Sequence, residues 1–187
     1  ERGKLKHSKT FAVFLLLYVA VILALSGSGD LVYDYLHLLL DTSNFILSLM
    51  LAIFLLAEQT NIQPVVRKYL AIGFGFTALT EILHSLVGVE WTGSFAWIAN
   101  ISYFLRPATW SPSGYVLVIS LLWAIWLMRR NSALRIGSFF AGMALVTIIV
   151  FVLAITLPPY FDTGLLGMRR PTQLPLLLLL LVFIAAC

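Results

Sequence analysis

The run Tyr35–Ala57, YLHLLLDTSNFILSLMLAIFLLA, decides the fold. It exceeds the roughly 20 apolar residues that a helix needs to cross a bilayer. In hydrocarbon the backbone has no water to bond to, so a spanning segment must satisfy its own polar groups as a helix. Comparable runs lie on either side: Thr10 to about Leu25, Tyr69 to Val89, Pro112 to Met128, Leu134 to Leu157, and a last one starting near Thr172. The first closes at Ser26-Gly27-Ser28-Gly29-Asp30 and lacks the small-residue cleavage site of a signal peptide.

Composition agrees with a membrane solvent. The 187 residues are 61% hydrophobic and only 11% charged, with a mean hydropathy of +1.00. Soluble domains carry roughly 25% charged residues, and one of this size could not hide so much apolar surface. The expectation is an all-α polytopic membrane bundle of about six transmembrane helices, forming one domain over residues 1–187. Neither an internal repeat nor a low-complexity tract is present beyond the leucine run Leu176–Leu181. The single cysteine, Cys187, excludes a disulfide framework and a CxxC metal site. The chain begins without methionine, and Leu174–Cys187 is short for a crossing. Further chain is therefore expected after it.

Basic residues orient the bundle. Arg2, Lys4, Lys6 and Lys9 precede the first run, Arg67 and Lys68 join the second to the third, and Arg129, Arg130 and Arg135 join the fourth to the fifth. Nine of the twelve Lys and Arg thus fall on one side. The positive-inside rule makes that side cytoplasmic and places both termini there. The net charge of +4 comes from these clusters and calls for no nucleic-acid partner. On the other side, the connection Gly88–Ser111 holds Trp91, Phe95, Trp97, Tyr103, Phe104 and Trp110. These suit a short interfacial helix at headgroup level, or a plain aromatic anchor.

Ionisable side chains inside spanning helices are expensive and tend to be functional. Asp34, His37 and Asp41 share one helical face at the start of the second run, and Glu81 and His84 share one near the end of the third. A short loop joins these two runs as antiparallel neighbours, and a rise of 1.5 Å per residue puts the four groups His37, Asp41, Glu81 and His84 in one layer roughly 10 Å thick. Imidazole with carboxylate suits a divalent transition metal, zinc or copper first and iron next. Asp34 and Arg106 are candidates for a ligand or supporting position. Three other accounts stand beside the metal: hydrogen-bonded pairs Asp41–His84 and Glu81–His37 that set helix register, a proton-sensitive switch, or an organic ligand. Arg106, followed by Pro107 and Trp110, suits an anion clamp, a pair with Glu81 or Glu90, or an interfacial arginine. Asp162, Arg169 and Arg170 read as solvated loop residues, with Pro158, Pro159 and Pro171 marking loop ends. Gly73-Phe74-Gly75 and Gly137…Gly142 point to close helix packing. No P-loop, Ser-His-Asp order or nucleic-acid patch is present.

Leu36-His37-Leu38-Leu39-Leu40-Asp41 resembles the first motif of bacterial membrane-associated sensor domains, the MASE group, of the third type. Glu81-Ile82-Leu83-His84-Ser85 resembles the second, in which Thr usually follows the His. Ala99-Asn100 with Arg106 resembles the family's outer loop, and Pro158-Pro159-Tyr160-Phe161 with Gly164 resembles the segment before its last helix. The segment Val87-Gly88-Val89-Glu90-Trp91 departs from a loop often rich in Lys and Gly. The resemblance covers about Tyr35 to the end. It implies an input module ahead of a histidine kinase, a diguanylate cyclase or a PAS-containing output domain, as in two-component signal transduction.

The expected function is thus a signal-sensing domain of a bacterial inner membrane, without catalysis of its own, a homodimer through its output module. Two alternatives belong to other classes. A metal-dependent membrane oxidoreductase would need about six to eight His or Glu ligands, and this chain has three His in all. A small proton-coupled transporter would need an ionisable path across the membrane, whereas this cluster sits on one side.

Overall fold

The computed structural model describes residues 30–57, 63–130, 135–157 and 173–186, with side chains from Leu36 onward. Among these residues every element is helical: α1 Asp30–Ala57, α2 Pro64–Gly88, a 3-10 turn Gly93–Phe95, α3 Ala96–Arg130, α4 Ile136–Thr156 and α5 Gln173–Ala186. Four helices are long and apolar enough to cross a membrane, and α5 is shorter at 14 residues. The expected run Thr10–Leu25 and the loop residues Pro158, Pro159, Asp162, Arg169, Arg170 and Pro171 lie outside the described residues. The chain divides into two compact units, Glu1–Leu39 and Leu40–Cys187. The first contributes the start of α1, and the second holds the rest of α1 and helices α2 to α5.

Local chemistry sets the helix ends. Pro64 occupies the first turn of α2, where its missing N–H costs nothing, and Arg67 N–H closes that turn on Gln63 O at 3.1 Å. At the other end the Trp91 indole N–H donates to Leu86 O at 2.7 Å, satisfying a carbonyl that has run out of helix.

Expected as a span over Pro112–Met128, the fourth run proves to be the second half of a 35-residue helix. Pro107 and Pro112 sit inside α3 without ending it. Hydroxyls supplement the backbone ladder around them: Thr109 donates to Leu105 O at 2.8 Å, Ser111 to Pro107 O at 2.9 Å and Ser113 to Trp110 O at 2.9 Å. This is how proline is accommodated in membrane helices. Much of the aromatic segment assigned to the connection is therefore helical, with Trp97, Tyr103 and Phe104 exposed along α3.

Helices α2, α3 and α4 enclose the core of Val66, Tyr69, Val116, Ala124, Leu127, Phe139 and Met143. Tyr69, fully buried, meets Phe139 edge-on at 4.7 Å between centroids, a geometry favoured by aromatic quadrupoles. Between α2 and α3 the packing is closer. A Cβ on Gly73 would collide with the Ser120 side chain, so Gly73 lets the backbones approach as small residues do in membrane interfaces. Ser120 in turn reaches Met143 Sδ on α4 at 3.5 Å. Helix α5 lies along α3: Leu176 packs against Gly114, and the Ala186 carbonyl accepts from Arg129 Nη2 at 2.6 Å. Helix α1 buries only a narrow stripe in this unit, Asp41, Ser48, Ala52 and Leu55, spaced seven, four and three residues apart. That is one helical face. Beyond Asn44 its other described residues are mostly apolar and exposed, a surface suited to lipid.

Candidate functional site

The end of the bundle opposite Tyr69 is built differently. There α2 presents Thr77, Thr80, Glu81 and His84, all buried, to the hydroxyl-bearing stretch of α3 that includes Thr109, Ser111 and Ser113. The antiparallel register that sets Gly73 against Ser120 brings His84 to Thr109 and Glu81 to Ser113. Asp41 and Asn44, one turn apart on α1, meet His84 and Glu81 respectively.

His84 is 1% exposed and held from both sides of its ring. Nδ1 lies 3.1 Å from Thr109 Oγ1, and Nε2 lies 3.3 Å from Asp41 Oδ2. The Thr109 hydroxyl has one proton, and the Leu105 carbonyl at 2.8 Å is one acceptor for it. With that proton donated to Leu105 O, Thr109 Oγ1 accepts from His84 Nδ1–H and the Nε2 lone pair turns toward the Asp41 carboxylate. With the hydroxyl proton turned to Nδ1, Nε2–H points at the carboxylate instead. In the first arrangement a proton or a cation between Nε2 and the carboxylate relieves their repulsion. A proton would give an imidazolium–carboxylate bond, whose usual length is about 2.7–2.9 Å. A tetrahedral metal with ligands at 2.0–2.1 Å would hold them about 3.3 Å apart. The 3.3 Å separation is compatible with that spacing and with a long N–H···O contact.

Glu81, 3% exposed, is hydrogen-bonded to the side chains of Ser113 and Asn44. It stands one turn before His84 on the same face, within the electrostatic reach of both His84 and Asp41. Hydroxyl and amide partners thus surround a carboxylate that would otherwise be very costly to bury. The sequence places Glu81 and His84 correctly on one face but gives no direct role to Asn44, Thr109 or Ser113. Their signal was the pair Thr109 and Ser113, four residues apart and so on one helical face.

His37 belongs to the first unit and stands one helical turn before Asp41 on α1. Asp34 lies on the same helix, and its side chain lies outside the described residues. Arg106 forms no ion pair with Glu81 or Glu90 among the described residues. Its guanidinium packs over Gly88, with Nε 3.8 Å from where a Cβ on that glycine would stand.

No family model matches the chain, and no curated protein or solved structure matches it either. The likeness to membrane-associated sensor domains therefore rests on the quoted motifs alone.

Proposed function

We propose that this chain is a membrane-embedded signal-sensing input domain that binds one divalent transition metal at His37, Asp41, Glu81 and His84 near the outer leaflet. It passes the signal to a cytoplasmic output domain on the same chain. The observation that carries the metal is the 3.3 Å approach of His84 Nε2 to Asp41 Oδ2, with the other ring nitrogen committed to Thr109. His37, one turn before Asp41 in the sequence of α1, is the candidate for the second imidazole. Glu81 supplies the outer carboxylate and Thr109 fixes the ligating tautomer of His84, the supporting role that metal-bound imidazoles normally require. Asp34 and Arg106 take peripheral places at the mouth. Two imidazoles with carboxylates favour zinc or copper, with iron next, over calcium, which wants six to eight oxygens.

The sensor reading is supported by the motifs around His37 and Glu81, by a polar cluster confined to one end of an apolar bundle, and by the lack of a set of six to eight ligands for oxidative chemistry. The membrane is the bacterial inner membrane. Both termini are cytoplasmic, the aromatic stretch from Trp91 to Trp110 anchors the outer interface, six helices cross, and the output module dimerises the chain. Metal analysis of the purified full chain, in parallel with His84→Ala, tests the proposal. Zinc, copper or iron near one equivalent in the parent and its loss in the variant is the expected result. Equal, substoichiometric metal in both would remove the metal and leave a hydrogen-bonded register device.

A further inference from the structure

At the basic end of the bundle, far along α3 from the site, α3 and α5 border a groove of about 420 Å³. Its size falls within the 300–1,000 Å³ range of small-molecule sites. Ile119, Leu122 and Ile125 give it an apolar floor, the rings of Trp123 and Trp126 line it, and Arg129 stands at its edge. Arg129 Nη2 is bonded to the Ala186 carbonyl on α5, which fixes the guanidinium beside the groove while leaving its other donors for an anion. Arg130 lies 6.0 Å from the Trp126 ring centroid and adds a second positive charge at the same level. Trp123 Nε1 is buried and has no hydrogen-bond partner among the described residues.

We infer that this groove binds one anionic phospholipid, with an acyl chain on the apolar floor and the phosphate at Arg129. Charge complementarity selects the occupant. A zwitterionic headgroup brings its own cation against Arg129 and Arg130, whereas an anionic one does not. A basic pocket between helices, at a membrane face rich in Lys and Arg, is the setting in which acidic headgroups are held. The inference is independent of the metal: the groove shares no residue with the His84 cluster.

The test reconstitutes the full chain in phosphatidylcholine vesicles containing a small fraction of lipid with brominated acyl chains. The brominated lipid is either phosphatidylglycerol or phosphatidylcholine, and quenching of tryptophan fluorescence is read. Quenching should reach its half-maximum at several-fold lower mole fraction for the anionic lipid. Arg129→Gln should reduce that preference about fivefold, the usual effect of one basic residue at a membrane surface. Arg135→Gln, an exposed arginine outside the groove, should leave it in place. Equal quenching by both lipids, no quenching by either, or a preference that survives Arg129→Gln would overturn the inference. Unchanged helix content by circular dichroism confirms that each variant is folded.

Discussion

His84 Nε2 stands 3.3 Å from Asp41 Oδ2, on the opposite edge of the ring from the Thr109 hydroxyl that holds Nδ1. Three helices therefore fix one imidazole, with Thr109 at one ring nitrogen and Asp41 at the other. Buried polar groups of this kind are costly unless each finds its partner.

Thr109→Val keeps the shape of the side chain and removes the acceptor for His84 Nδ1–H. Metal affinity should fall about 10- to 100-fold, the usual effect of losing a partner behind a ligating histidine. Competition with a chromophoric zinc chelator measures it. An unchanged affinity would mean that Thr109 serves α3 alone through its bond to Leu105 O.

The two carboxylates should differ. Asp41 faces Nε2 directly, so Asp41→Asn should weaken zinc binding far more than Glu81→Gln, whose amide can keep the bonds to Ser113 and Asn44. If the two substitutions cost the same in a zinc titration, Glu81 is as direct a ligand as Asp41.

Gly73→Ala places a Cβ against Ser120, whereas a Cβ on Gly75 meets nothing within 4 Å. The first should destabilise the bundle by about 1–3 kcal/mol, the usual cost of overpacking, and the second should not. Denaturant unfolding in mixed micelles, followed by tryptophan emission, separates them. Equal effects would show that α2 and α3 are not in close backbone contact there.

Orientation can be read chemically. With Cys187 replaced by serine, a cysteine at Arg130 should react with an impermeant maleimide only from the cytoplasm, and one at Thr92 only from outside. The reverse pattern would contradict the orientation drawn from the basic residues.

The periodicity and length of the apolar runs made four of the helices legible, because in a bilayer the backbone leaves little choice. The pairing of Asp41 with His84 was legible for the same reason: both lie near the ends of antiparallel neighbours joined by a short loop. The beginning of α3 was not. Pro112 read as the start of a span, since proline clashes with the preceding turn, and only the hydroxyls of Thr109, Ser111 and Ser113 show how the helix runs through Pro107 and Pro112. Placing the stretch up to Ser111 in a connection hid Thr109, the group that holds His84. Arg106 was open between an anion clamp, a pair with Glu81 or Glu90, and an interfacial arginine. Helical continuity through Pro107 sets it over Gly88.

X-ray absorption at the zinc edge, on the purified full chain loaded with one equivalent of zinc, tests the central claim most directly. The account predicts a four-coordinate nitrogen and oxygen shell at about 2.0–2.1 Å with the multiple scattering of two imidazoles, and the loss of that ordered shell in His84→Ala. A spectrum without imidazole scattering, or one identical in parent and variant, would contradict a metal held between His84 and Asp41.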